Sequence, residues 1–308
     1  MNKTKMILIL LILLAVLLSG CKEGETQDVS KSPYEGGTKG IVAEFMDMGI
    51  FNDETKINEI YEDETFPIEV IIKNKGENEI NPGDITVTLK GVYLGSFSGI
   101  VPQGELINRE TIDMISEINE EGGEEIMDFT PGTDDAKYTT SFSGTSVDLD
   151  IFAEIVFRYK TEATAKKICF KENLQDDSIC EVSESKEVFS SGAPIKVNRA
   201  KETTAGSAKI AVEFEVENVG GGDVAIIGES FDTRYNKFSF TSSSDSKWEC
   251  RAAGKLNEGR FDSAGKAKIS CKLKEAMPED TLYTEDLSLT IQYKYRYLIQ
   301  ESVRIKKE

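Results

Sequence analysis

The chain of 308 residues has no histidine, and that removes more chemistry than any other gap in its composition. Histidine is the commonest transition-metal ligand and the usual general base near neutral pH. A Ser-His-Asp or Cys-His arrangement is therefore impossible, while lysine- or carboxylate-based chemistry stays formally open. Tryptophan is nearly absent, with Trp248 alone. Phosphate-binding signatures are missing too: no Gly-Lys-Ser or Gly-Lys-Thr occurs, and no GxGxxG follows a strand-like segment. Positive charge is scarce, with 36 Lys and Arg against 55 Asp and Glu, a formal charge of −19. Such a balance repels nucleic-acid phosphates and anionic bilayers, so no nucleic-acid partner is expected. No long amphipathic helical period appears anywhere.

What is present starts with one apolar run. Lys3 and Lys5 precede residues 6–18, all apolar, followed by Ser19, Gly20 and Cys21. A short basic region, a short apolar run and small residues form a signal-peptide layout, and the run is shorter than a spanning helix requires. Leu18-Ser19-Gly20-Cys21 resembles the lipobox of secreted prokaryotic lipoproteins. The resemblance implies cleavage after residue 20 and lipidation of Cys21, with membrane attachment through the N-terminal lipid on the extracytoplasmic side. An uncleaved N-terminal helix is the other reading, and it places the rest of the chain in the same compartment. Residues 21–39 then read as the lipidated cysteine and a polar tether. Its typical reach is about 23 Å.

Beyond the tether the pattern is β. Ile41, Ala43 and Phe45 alternate as an opening strand, and residues 47–62 read as a polar connection. Residues 66–73 and 84–89 alternate with period two, as expected of half-buried strands. Residues 114–118 are ambiguous between strand and short helix, and residues 149–159 close the segment with alternate apolar positions. Many short strands separated by turns argue a sandwich or barrel.

The second half repeats the first. Ile68, Val70, Ile72, Asn74 and Gly76 align with Val212, Phe214, Val216, Asn218 and Gly220. Phe157-Arg158-Tyr159 aligns with Tyr295-Arg296-Tyr297. In each Asn-x-Gly the asparagine is expected to bond the backbone and the glycine to take a positive φ. The expected division is residues 40–165 as a first β-sandwich domain, 166–190 as a connecting ribbon and 191–305 as a second β-sandwich domain.

Apart from Cys21 there are four cysteines, which in an oxidising compartment read as two disulfides. Three connectivities are possible. Nearest-neighbour pairing, Cys169–Cys180 and Cys250–Cys271, keeps each bridge within one unit. The first would pin the ribbon between short apolar pieces at residues 168–170 and 179–182, worth about 2.5–3 kcal/mol by loop entropy. A four-thiolate zinc site lacks the close cysteine pairs it needs.

No residue reads as catalytic, and no cofactor or metal site is expected. The acidic pairs Glu120-Glu121, Glu124-Glu125, Asp134-Asp135 and Glu279-Asp280 follow no EF-hand pattern, although calcium held by separated segments stays open. No carboxylate pair stands out for glycoside hydrolysis. Trp248 and the alternating Tyr293, Tyr295 and Tyr297 read as core, and as a binding platform only if that face is exposed.

Several segments in order resemble a group of uncharacterised archaeal cell-surface lipoproteins. They are residues 37–41 with Phe45, residues 60–62, Asn74-Lys75-Gly76, residues 159–163, the Cys169/Cys180 ribbon, residues 192–195, residues 217–222 and the Cys250/Cys271 pair. The resemblance implies an all-β chain of two tandem immunoglobulin-like β-sandwich modules with no established activity. The expected function is a non-enzymatic, membrane-anchored surface lipoprotein acting as a structural or protein-interaction module, with an extracellular or envelope protein as partner. The alternative is a solute- or glycan-binding lipoprotein associated with transport or the cell envelope.

Overall fold

Alternation of apolar and polar residues becomes strand after strand in the computed structural model, which describes residues 31–132, 135–175, 179–232 and 234–307. The expected signal peptide at residues 1–20 and Cys21 lie outside the described residues. The first half holds β1 (Ile41–Phe45), β2 (Ile50–Asn52), β3 (Ile57–Tyr61), β4 (Glu69–Asn74), β5 (Ile85–Lys90), β6 (Phe97–Ser98), β7 (Glu105–Ile107), β8 (Glu124–Asp128) and β9 (Lys137–Tyr138). A long strand, β10 (Ser146–Lys171), leads out of it. The second half holds β11 (Ser185–Lys186), β12 (Val188–Ser190), β13 (Ile195–Gly206), β14 (Lys209–Asn218), β15 (Asp223–Ala225), β16 (Lys237–Ser242), β17 (Trp248–Ala252), β18 (Lys255–Leu256), β19 (Glu258–Arg260) and β20 (Lys266–Leu273). A second long strand, β21 (Leu282–Lys306), ends the chain. Two 3₁₀ turns, Leu94–Ser96 and Pro102–Gly104, are the helical pieces among the described residues.

The fold is all-β, with several sheets consistent with a β-sandwich-type architecture. A three-stranded sheet runs β1-β4-β8, and a six-stranded sheet runs β11-β13-β14-β20-β17-β18. A ten-stranded sheet is built around β21 and β10 and draws strands from both halves. β10 and β21 pair antiparallel from Ser146↔Lys306 through Ala165↔Leu287, then again from Ile168↔Glu285 to Lys171↔Leu282 past a bulge. That bulge, where Lys167 has a φ of 55°, is the only irregularity in the ladder among the described residues.

Both long strands serve both halves. β10 pairs β5 through residues 152–157 and β12 through residues 163–165. β21 pairs β16 and β15 through residues 289–296, then runs parallel to β3 through residues 303–306. The expected boundary at residues 165 and 166 therefore lies inside one continuous strand, and residues 34–308 cluster as one compact unit. Ile168 to Phe170, expected as a piece of a separate ribbon, is the far end of β10.

The core follows the period-two pattern. Ile151, Ala153, Ile155, Phe157, Tyr159, Thr161, Ala163 and Ala165 all point inward from β10. From β21, Leu287, Leu289, Ile291, Tyr293 and Tyr295 meet them. Residues 47–62, expected as a polar connection, contain the β2–β3 hairpin instead, closed at Asn52, whose side chain accepts from the Glu54 and Thr55 amides. Its strands are short and poor in alternating apolar residues, so periodicity alone could not show them. Residues 114–118 form neither strand nor helix.

Candidate functional site

The aromatic face expected as core is core. Tyr293 and Tyr295 are buried and Tyr297 is half-buried, so no platform of that face is open to a ligand. Trp248 is buried as well and packs edge-on against Phe170, with ring centroids 5.8 Å apart. Both disulfides form as the nearest-neighbour pairs. Cys250 and Cys271 stand directly opposite each other on β17 and β20. Cys169 on β10 reaches Cys180, with Cα atoms 5.8 Å apart.

The two Asn-x-Gly turns make matching bonds. Asn74 Nδ2 donates to the Asn78 carbonyl (2.8 Å), and Asn218 Nδ2 donates to the Gly222 carbonyl (2.7 Å). The Tyr159 hydroxyl donates to Asn74 Oδ1 (3.0 Å), and the Tyr295 hydroxyl to Asn218 Oδ1 (2.9 Å). The expectation of a positive φ at the glycines is corrected. Neither Gly76 nor Gly220 has one; a side chain is excluded because its Cβ would lie 2.2 Å from the Tyr159 hydroxyl, or 2.4 Å from that of Tyr295. Burial pushes the Tyr159 and Tyr293 hydroxyls well above their ordinary range, and that of Tyr295 up to about 12.

A buried polar cluster lies beside Cys169. Glu202 has no exposed surface, and its carboxylate accepts from the Cys169 amide (3.0 Å) and pairs with Lys186 (2.9 Å). Lys186 also reaches Glu184 (2.5 Å) and the Glu181 carbonyl, while Lys171 donates to the Cys180 carbonyl (2.7 Å). Burial pushes the Glu202 carboxyl up, and the Cys169 amide and Lys186 pull it down. Reading the sequence did not find this glutamate. The β-irregularity between Val197 and Arg199 shifts the inward face from odd to even positions, so Ala200 and Glu202 turn inward where Lys201 would have been expected.

Two of the acidic residues singled out in the sequence have partners of their own. Glu121 pairs with Lys75 (2.5 Å), and Glu125 accepts from the Arg109 amide (2.9 Å). Asp134 lies outside the described residues. Among the described residues no three His, Cys, Asp or Glu side chains gather as a metal-binding set.

Concave surface is found in the second half. A cavity of about 800 Å³ lies where β14 and β20 approach β19 and the loop before β16. Two more, about 540 Å³ each, share its walls at Arg234, Tyr235, Arg260 and Phe261. The groove reaches the size usual for small-molecule sites. Tyr235 is 42% exposed, and the Arg234 and Arg260 guanidinium carbons each lie 5.5 Å from its ring centroid. Sequence reasoning missed this place because its residues come from separated segments with no shared motif.

No family model, no curated protein and no solved structure matches this chain.

Proposed function

We propose that the chain is a non-enzymatic, membrane-anchored surface lipoprotein whose two halves are tandem immunoglobulin-like β-sandwich modules, acting as a structural or protein-interaction element. The observation that carries this reading is the β10–β21 ladder, which is common to both halves. A strand of 26 residues is about 86 Å long at a rise of ~3.3 Å per residue. Two modules sharing such strands act as one stiff body, suited to holding loops and sheet edges at set distances from one another. The repeated Asn-Tyr bonds support the tandem reading.

The arm that enters the body is itself held. The Glu77 carboxylate accepts from the amides of Glu35 (2.9 Å), Gly36 (2.8 Å) and Gly192 (2.6 Å). A tether ending there would transmit orientation to both modules, because Gly192 opens the second half and Glu77 belongs to the first.

Mass spectrometry of membrane-extracted protein, with fragment mapping before and after reduction, tests the anchor. The expected result is a mature chain beginning at a lipid-modified Cys21 with both disulfides intact. An unmodified Cys21 in membrane-extracted protein would remove the lipoprotein reading. Cross-linking on intact cells tests the interaction role, and the expected product is a discrete adduct to an envelope protein.

A further inference from the structure

The main cavity of the groove around Tyr235 is balanced in charge once its ion pairs are set aside. Arg234 pairs with Asp232 (3.0 Å), Lys268 pairs with Glu213 (2.6 Å), and Glu215 lies 3.8 Å from Arg199. Glu217, Asp262, Arg260 and Lys266 are the charged lining residues that remain. Neither of these cations makes an ion pair among the described residues. The two acids bond only neutral amides. Glu217 Oε2 accepts from the Asn198 side chain (2.6 Å), and Asp262 Oδ1 accepts from the backbone amides of Ala264 (2.9 Å) and Lys266 (2.8 Å). Each carboxylate thus keeps its other oxygen, Glu217 Oε1 or Asp262 Oδ2, without a hydrogen bond among the described residues.

Two free carboxylates and two free cations cancel, so the groove does not recruit a full ion of either sign. What it offers is interleaved donors and acceptors. Lys266 stands opposite Glu217 in the β14–β20 register, and its backbone amide is bonded to Asp262. A donor therefore sits between two acceptors, with Arg260 on β19 as a second donor. A hydroxyl both donates and accepts, so neighbouring hydroxyls match such a wall without carrying charge. Size separates a polyhydroxyl chain from a lone zwitterion. The cavity of about 800 Å³ adjoins two of about 540 Å³, which makes an extended groove that one amino acid would leave largely unfilled. Its apolar surface comes from small side chains, Ala253 and Ala267, with Tyr235 42% exposed beside them.

We propose that this groove binds an uncharged oligosaccharide. Sugar hydroxyls donate to Glu217 and Asp262 and accept from Lys266 and Arg260, while the C–H faces of the rings lie against Ala253, Ala267 and Tyr235. Hydrogen bonds to charged groups are stronger than neutral ones, which lets four such side chains hold a ligand that carries no charge itself. The site goes beyond the anchored, structural role, and it does not depend on lipidation.

The test presents the full chain, in phosphatidylcholine nanodiscs, to a microarray of neutral oligosaccharides of glucose, galactose, mannose and N-acetylglucosamine. Sulfated and uronate-containing oligosaccharides are printed beside them. The expected result is saturable binding to at least one neutral oligosaccharide. Its Kd should change less than twofold between about 50 and 500 mM sodium chloride, because salt has no ligand charge to screen. Lys266→Ala and Glu217→Gln remove charges of opposite sign, and each should weaken that oligosaccharide at least fivefold, because each removes a hydroxyl partner. A ligand held by its own charge would respond to them in opposite directions. Lys266 is exposed, and a glutamine at 217 still accepts from Asn198, so both variants should melt with the parent chain. Binding to no neutral oligosaccharide overturns the site. Binding confined to the acidic sugars, or lost in salt, overturns the neutral assignment. Binding that either variant leaves unchanged or strengthens overturns the proposed contacts.

Discussion

The Tyr159 hydroxyl donates to Asn74 Oδ1 across 85 residues of chain, tying the long β10 strand to the turn that ends β4. Asn74 is fully buried, and the Asn78 amide donates back to the same hydroxyl (3.3 Å). Tyr159→Phe keeps the ring and removes both bonds. A buried group left without its partner costs about 1–3 kcal/mol, so the variant should lower stability by that amount in urea unfolding. Tyr295→Phe, at the matching but part-buried bond, should cost less. Equal stability of Tyr159→Phe and the parent chain would show that this bond does not hold the turn.

The shared ladder predicts that neither half folds by itself. A fragment of residues 34–171 retains β10 but loses β21, its partner along nearly its whole length. The inward faces of Ile151 through Ala165 would then stand beside an open edge, with unpaired backbone groups along it. Amide NMR of this fragment should show the narrow dispersion of an unfolded chain, and adding residues 172–308 should restore native dispersion. A well-dispersed spectrum from the fragment alone would mean that the first half is an independent domain.

Lys186→Met strands the Glu202 carboxylate in a site with no exposed surface. Breaking a buried pair from one side costs about 3–5 kcal/mol. The pH dependence follows from the raised carboxyl of Glu202. A group whose folded pKa lies above its unfolded value contributes stability present below the unfolded value and lost as pH rises through the folded one. The variant should therefore be closer to the parent at pH 5 than at pH 8 in urea midpoints. Adding Glu202→Gln, which keeps an acceptor for the Cys169 amide, should recover most of the loss at pH 8.

Alkaline conditions should act through the tyrosines of the centre. Tyr159, Tyr293, Tyr295 and Tyr297 all have hydroxyls pushed up by burial, Tyr295 to about 12. Their contribution is complete below pH ~10, the unfolded value, and falls by about 1.4 kcal/mol per pH unit for each tyrosine above it. Absorbance at 295 nm should show these four of the ten tyrosines ionising together with loss of the far-UV β signal. Reversible ionisation of all ten near pH 10, with the β signal intact, would contradict the buried centre.

Alternation made most strands visible in advance. The inward positions of β4 and β14, Val70 and Ile72 against Phe214 and Val216, are buried as the period-two reading requires. The alignment of the closing strands was less accurate. It matched Tyr159 with Tyr297, whereas hydrogen bonding matches Tyr159 with Tyr295, two residues away. A shift of two keeps every side chain on the same face, so periodicity cannot detect it. The ion pairs Arg158–Asp84 (3.6 Å) and Arg296–Asp223 (2.6 Å) still follow the original alignment, so the two halves correspond differently at different bonds.

Strand pairing settles what each long strand does past the centre. Thr161 on β10 donates to the Ile195 carbonyl (2.7 Å) in the second half, and Tyr297 on β21 donates to the Ile41 carbonyl (3.2 Å) in the first. Each strand thus begins in one half and finishes against the other. Composition and local pattern determined the all-β class, the missing histidine chemistry, the acidic surface and the inward face of most strands, because burial on a pleated sheet selects every second residue. The crossing of β10 and β21, the buried Glu202 behind its bulge and the groove at Tyr235 were decided by tertiary structure alone. Each depends on which distant backbone supplies the neighbouring hydrogen bonds, and a one-dimensional pattern carries no record of that choice.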